Sequence, residues 1–81
     1  MHLEIITPDK KVFVGEVSEA SFPGADGSFQ VLKNHAPLVS ALAKGPISLT
    51  TALGKQSFIV DGGVVEVNDN KIMVLAEKVL A

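Results

Sequence analysis

Two imidazoles, His2 and His35, nine carboxylates and seven lysines are the side chains in this 81-residue sequence best suited to acid–base, metal or covalent chemistry. There is no cysteine, hence no thiol nucleophile and no disulfide framework. His35 lies in Asn34-His35-Ala36-Pro37-Leu38, where Asp26 or Asp61 standing behind it would make it a general base. No Gly-x-Ser-x-Gly elbow or other nucleophile setting accompanies it, so it reads instead as a loop histidine whose nitrogens meet carbonyls or a partner. No His-x-x-x-His or clustered Asp/His spacing suggests a metal. The acids are scattered over turns and strand exteriors, not paired as hydrolysis would require. Gly24-Ala25-Asp26-Gly27 is no phosphate loop, because it sets an acid where the anion would sit and leads into a strand. No catalytic residue, cofactor or metal is expected. Lys10, in the turn Asp9-Lys10, is where a biotinyl- or lipoyl-type carrier would hold its modified lysine, but Lys11 follows and no methionine is adjacent.

The elements that must position these residues are strands. His2–Thr7 reads as a strand with Leu3 and Ile5 on one face, ended by Pro8, which cannot donate to a ladder. Lys11–Val14 returns, Gly15 allows a kink or bulge, and Val17–Phe22 continues. Two loops then flank the short strand of Phe29 and Val31. In the first, Pro23 fixes φ while Gly24 and Gly27 can take positive φ around Ala25-Asp26. In the second, Asn34 bends the chain and Pro37 holds Ala36 extended, so His35 is presented rigidly. Leu38–Ala43 fits helix or strand by period, and Val39 with its flanking prolines favours strand. Lys44-Gly45-Pro46 reads as a turn, followed by strands Ile47–Thr51 and Lys55–Asp61 with Gly54 in the reversal. Gly62-Gly63 marks a bulge or change of direction that lets the chain move between sheets. Asp69-Asn70 suits a two-residue hairpin turn before Ile72–Leu75, and Glu77–Ala81 is short enough to be one more edge strand. The expectation is one domain over residues 1–81, an all-β antiparallel sandwich or flattened barrel of about eight to ten short strands.

Composition excludes several partners. The formal charge is −2, there is no arginine, and neither Trp nor Tyr is available to stack bases, so nucleic acid is not an expected partner. No apolar run approaches the roughly 20 residues that span a bilayer, and the start lacks a basic-then-apolar signal pattern.

The chain also resembles a known family, the N-terminal β-sandwich domain of the epsilon subunit of F-type ATP synthase. The similarity runs through Leu3-Glu4-Ile5-Ile6-Thr7-Pro8, Phe13-Val14-Gly15-Glu16-Val17 and Phe22-Pro23-Gly24-Ala25-Asp26-Gly27. It continues through Asn34-His35-Ala36-Pro37-Leu38-Val39-Ser40-Ala41-Leu42, Gly62-Gly63-Val64-Val65-Glu66-Val67 and Val74-Leu75-Ala76-Glu77. The resemblance implies a non-catalytic rotor subunit that binds the gamma subunit and rests on the ring of c subunits. It would lie peripherally on the cytoplasmic face of a bacterial inner membrane, held there through the complex without inserting. By position, Asp26, Gly27 and Ser28 would face the ring. Thr7, His35 and Ser40, with Asn34, Ala36, Pro37 and Leu38 of the same loop, would face gamma. Gln30 and Lys33 stand where the family often has Gly and Pro. Most members continue into a helical hairpin that in several restrains hydrolysis or binds ATP, whereas this sequence stops at Ala81, a short form or a truncation. The competing expectation is a freestanding ligand-binding or carrier β-sandwich.

Overall fold

Alternation of apolar and polar residues with period two becomes, in a computed structural model covering Met1–Ala81, seven strands and no helix. They are β1 (His2–Ile6), β2 (Lys11–Glu16), β3 (Glu19–Phe22), β4 (Phe29–Leu32), β5 (Leu38–Thr51), β6 (Gly54–Asn68) and β7 (Lys71–Ala76). They form one hydrogen-bonded sheet in the order β2-β1-β7-β6-β5-β3-β4. Two sheets packed face to face lie about 10 Å apart, and the shortest extent of the molecule, 18 Å, leaves room for both layers. Leu3 and Ile5 near one edge of that order and Val31 at the other share a single core of 15 buried residues. The sheet therefore folds over on itself into a sandwich.

The fold-over runs through β5 and β6, whose 14 and 15 residues are long enough to serve both layers. One layer holds β2, β1, β7, the C-terminal half of β6 and the N-terminal half of β5. The other holds β4, β3 and the remaining halves of β5 and β6. Past β7, Glu77–Ala81 extends this second layer along the free edge of β6. The N–H groups of Ile59 and Asp61 donate to the carbonyls of Ala81 and Lys78 at 3.0 Å each, and Leu80 donates to Ile59 at 2.7 Å. Where about eight to ten short strands were expected there are seven, because β5 and β6 each run through both layers; halved at the bend they make five segments in the first layer and four in the second, beside which Glu77–Ala81 adds an isolated bridge of Val79 to Val60. Lys44-Gly45-Pro46 is accordingly not a turn. It is the interior of β5, because Pro46 is paired with Ile59 in a ladder that resumes immediately past the bend.

At the bend the ladder steps from Leu42↔Gly63 to Lys44↔Asp61 and skips the pair between them. The freed groups are satisfied elsewhere: Ala43 donates to the Pro23 carbonyl at 2.7 Å, and the Gly62 carbonyl accepts from Glu77 at 3.2 Å. The pleat changes phase here in both strands. Inward positions are Leu38, Ser40 and Leu42 before the bend in β5 and Ile47 and Leu49 after it; in β6 they change from Phe58 and Val60 to Val65 and Val67. Gly62 (φ 102°) and Gly63 (φ 142°) hold conformations that L side chains rarely adopt, which fits the change of direction read from the sequence.

Two other details depart from expectation. The irregularity between β1 and β2 falls at Ile5/Ile6, and Gly15 pairs regularly with Leu3. The β1–β7 pair is parallel, which no hairpin turn encodes.

Candidate functional site

The loop from Pro23 to Ser28 is built from the backbone outward. Gly24 bridges Leu42 at the bend, Ala25 donates to the Ala41 carbonyl at 2.9 Å, and Gly27 donates to Gly24 at 3.0 Å. Gly27 has φ 129°, as a tight turn requires. Gly24 is glycine for a different reason: a Cβ there would stand 2.5 Å from the Gly27 carbonyl oxygen. Asp26, Gly27 and Ser28 are left exposed at the tip, on a turn held to β5.

The loop from Lys33 to Pro37 carries the chain from β4 in one layer to β5 in the other. Asn34 takes φ 61°, which asparagine tolerates better than other side chains. Its N–H donates to Oδ1 of Asn70 at 3.1 Å, while His35 N–H donates to the Leu32 carbonyl at 3.1 Å. Nδ1 of His35 lies 2.7 Å from the Ala36 carbonyl oxygen, so it carries the proton and donates. No carboxylate lies within 4.0 Å of that ring; the ion pairs of the molecule are on Met1, His2 and Lys11 with Glu4 and Glu16. The structure does not assemble a base from His35 with Asp26 or Asp61. Ala36 and Pro37 are exposed, and Leu38 is half-buried against the core.

Of the residues singled out in the sequence, two groups lie at different ends. Asn34 through Leu38 sit beside the β6–β7 turn, where the Asn70 carbonyl also receives the N–H of His2. Thr7 lies past the opposite end of β1, beside Leu75, Ala76 and Glu77 in a shallow groove with Ile6 and Pro8. Thr7 and Lys10 tie the β1–β2 turn reciprocally, with Thr7 N–H donating to the Lys10 carbonyl at 2.9 Å and Lys10 N–H to Thr7 Oγ1 at 3.2 Å. Ser40 is half-buried on the inner side of β5, its hydroxyl donating to the Ala41 carbonyl at 3.1 Å.

What joins these groups is the outer face of the first layer, which the sequence reading did not name. Register places Ala41 opposite Val64, Val64 opposite Leu75, and Leu75 beside Ile6, an apolar row across four strands. Val39, one pleat further along β5, is 69% exposed, and Leu75 and Val64 are 53% and 42% exposed. The signal was present in the consecutive apolar pairs Ile5-Ile6, Val64-Val65 and Val74-Leu75, since a strand covered on one face alternates and one covered on both does not. The outer face of the second layer is opposite in character: Gln30, Ser21, Ser48 and Ser57 form one cross-strand row.

This architecture and these loops coincide with one family description, "ATP synthase, Delta/Epsilon chain, beta-sandwich domain", whose model matches residues 1–81. The chain belongs to that family. Among delta/epsilon-chain relatives, the ATP synthase epsilon chain of Chlorobium limicola is 45% identical over 78 residues, which are 95% of this chain and 89% of that one. The epsilon chain of Rhodopseudomonas palustris (strain TIE-1) is 38% identical over 76 residues, 94% of this chain. This chain spans little more than half of that relative, 56%. A chain in the cryo-EM structure of Euglena gracilis mitochondrial ATP synthase superposes with a TM-score of 0.88 at 23% identity, covering 96% of this chain and 51% of that one. One from the central stalk and c-ring of the Tetrahymena thermophila enzyme gives 0.82 at 17% identity, covering 98% and 64%. At those identities the structural likeness speaks for the fold, a delta/epsilon-type sandwich. Membership gives the carrier reading of Lys10 no support, and Lys10 is an ordinary exposed turn lysine tied to Thr7.

Proposed function

We propose that this chain is a non-catalytic rotor subunit of a proton-translocating F-type ATP synthase, binding gamma and resting on the c-ring to couple proton flow to ATP synthesis. Family membership supports the complex, and the Tetrahymena thermophila neighbour comes from a central stalk and c-ring assembly. The observation that carries the docking role is the contrast between the two outer faces. Exposed apolar rows on a sheet face favour burial against another protein, while a row of serines does not. In this reading gamma covers the Ala41–Val64–Leu75–Ile6 row and Val39, reaching Thr7 on one side and the Asn34–Leu38 loop on the other, with Ser40 on the inner side of β5 meeting gamma only at the edge of that strand. Asp26, Gly27 and Ser28, on a separate turn at the bend, meet the polar loops of the ring. The chain is then peripheral to a bacterial inner membrane on its cytoplasmic side, held there by its partners. No helix in the structure is long and apolar enough to cross a membrane.

The test is co-migration of the purified chain with gamma in gel filtration, repeated with Leu75→Asp and Ser48→Asp. A stable complex for wild type and Ser48→Asp, lost with Leu75→Asp, is the expected result. Equal binding by a folded Leu75→Asp chain overturns the choice of face, and no complex with wild type overturns the function.

A further inference from the structure

We infer that Asn70 is a positioning residue for the Asn34–Leu38 loop, setting the placement of the surface that meets gamma; this rests on the docking reading above. The loop crosses between layers, leaving β4 where Leu32 pairs with Glu19 and entering β5 where Leu38 pairs with Val67. Its other polar contacts are local: His35 N–H to the Leu32 carbonyl and His35 Nδ1 to the Ala36 carbonyl. Those contacts shape the loop without fixing it against the rest of the molecule. Its side-chain tie to a distant element is the Asn34 N–H to Asn70 Oδ1 bond, spanning 36 residues at 3.1 Å.

Asn70 is suited to that work by its own backbone. Asp69 (φ 51°) and Asn70 (φ 60°) form the β6–β7 turn in the left-handed region. The Asn70 carbonyl accepts from His2 N–H at 3.3 Å while its side chain reaches Asn34. One residue thereby joins the start of β1, the β6–β7 turn and the interlayer loop. Asparagine pairs a tolerated left-handed φ with a short acceptor; glycine has the first without the second, and lysine supplies only donors.

The experiment uses the full chain with Asn70→Gly, Asn70→Asp and Asn70→Lys, measuring melting temperature, amide hydrogen exchange at Asn34, and affinity for gamma. Wild-type binding is established first, so that its absence counts against the proposed function and not against Asn70. Asn70→Gly is expected to melt with wild type, to exchange at Asn34 at least about 10-fold faster, and to bind gamma about 3- to 10-fold more weakly. Asn70→Asp, which keeps an acceptor, should restore both. Unchanged Asn34 protection in Asn70→Gly overturns the tie, and faster exchange with unchanged affinity overturns its role in placing the docking surface. If the glycine loosens the turn itself, seen as faster exchange at His2, the comparison of Asn70→Asp with Asn70→Lys decides. Affinity that follows the acceptor supports the inference, and equal affinity in the two overturns it.

Discussion

A β-carbon built on Gly63 would stand 2.2 Å from the carbonyl oxygen of Leu75, closer than any real contact allows. Two strands approach this tightly because β6 bends here while remaining paired with β7, Gly63 opposite Ala76. Gly63→Ala must therefore move backbone as well as adopt an unfavourable φ, and is expected to cost about 2 to 4 kcal/mol. At Gly62 the added Cβ meets Glu77 Oε2 at 2.9 Å, the far end of a flexible side chain, so Gly62→Ala should cost less. Urea unfolding of both variants checks the order, and equal midpoints would contradict it.

The segment after β7 makes a second prediction. Removing Lys78–Ala81 frees the N–H groups of Ile59 and Asp61 and uncovers the half-buried Val79 site against the core. Stability should fall by about 1 to 2 kcal/mol, with exchange at those two amides rising first. Protection at Ile59 and Asp61 that survives the deletion would show that this edge does not depend on the tail.

A third concerns the two loops. The His35 side chain bonds only the neighbouring Ala36 carbonyl, and its backbone bond to Leu32 survives truncation, so His35→Ala should leave the melting temperature unchanged and weaken gamma binding by about 1 kcal/mol. Leu38→Asp should lower the melting temperature as well as weaken gamma binding, because Leu38 is packed on the core as well as lying beside the loop. Ser28→Cys should cross-link to a cysteine in the polar loop of a c subunit with gamma binding intact. Cross-linking of that cysteine to gamma alone would reverse the assigned orientation.

The fourth addresses the exposed apolar face directly. Val39→Asp changes a side chain that is 69% exposed, so unfolding should be nearly unaffected while gamma binding weakens by about 1 to 3 kcal/mol. Isothermal titration beside a melting curve separates the two effects, and a loss confined to stability would remove this face from the interface.

Much of this was readable in the residues because its causes are local. Pro8 stands two residues past Ile6, the last paired position of β1, Asp69-Asn70 adopts the positive φ its side chains tolerate, and Gly62-Gly63 marks the passage between layers. What was not readable depends on distant partners. Lys44-Gly45-Pro46 has the composition of a turn and is held as strand by pairing with Ile59, Val60 and Asp61. Gly24 was expected to be needed for positive φ, but the close Gly27 carbonyl is what demands it. The split of Thr7 from the Asn34–Leu38 loop, and the apolar row lying between them, follow from β1 pairing with β7, and nothing near either strand in sequence announces that neighbour.

The parallel β1–β7 pair also governs the order of events at the ribosome. His2 pairs with Lys71, so the β1–β2 hairpin emerges early and has only one of its two eventual neighbours. Translation at about 5–20 residues per second leaves β1 with an unpaired edge for on the order of several seconds. The first layer consequently closes only after β7 has been synthesised, and nascent chains are exposed to mispairing through β1 until it does.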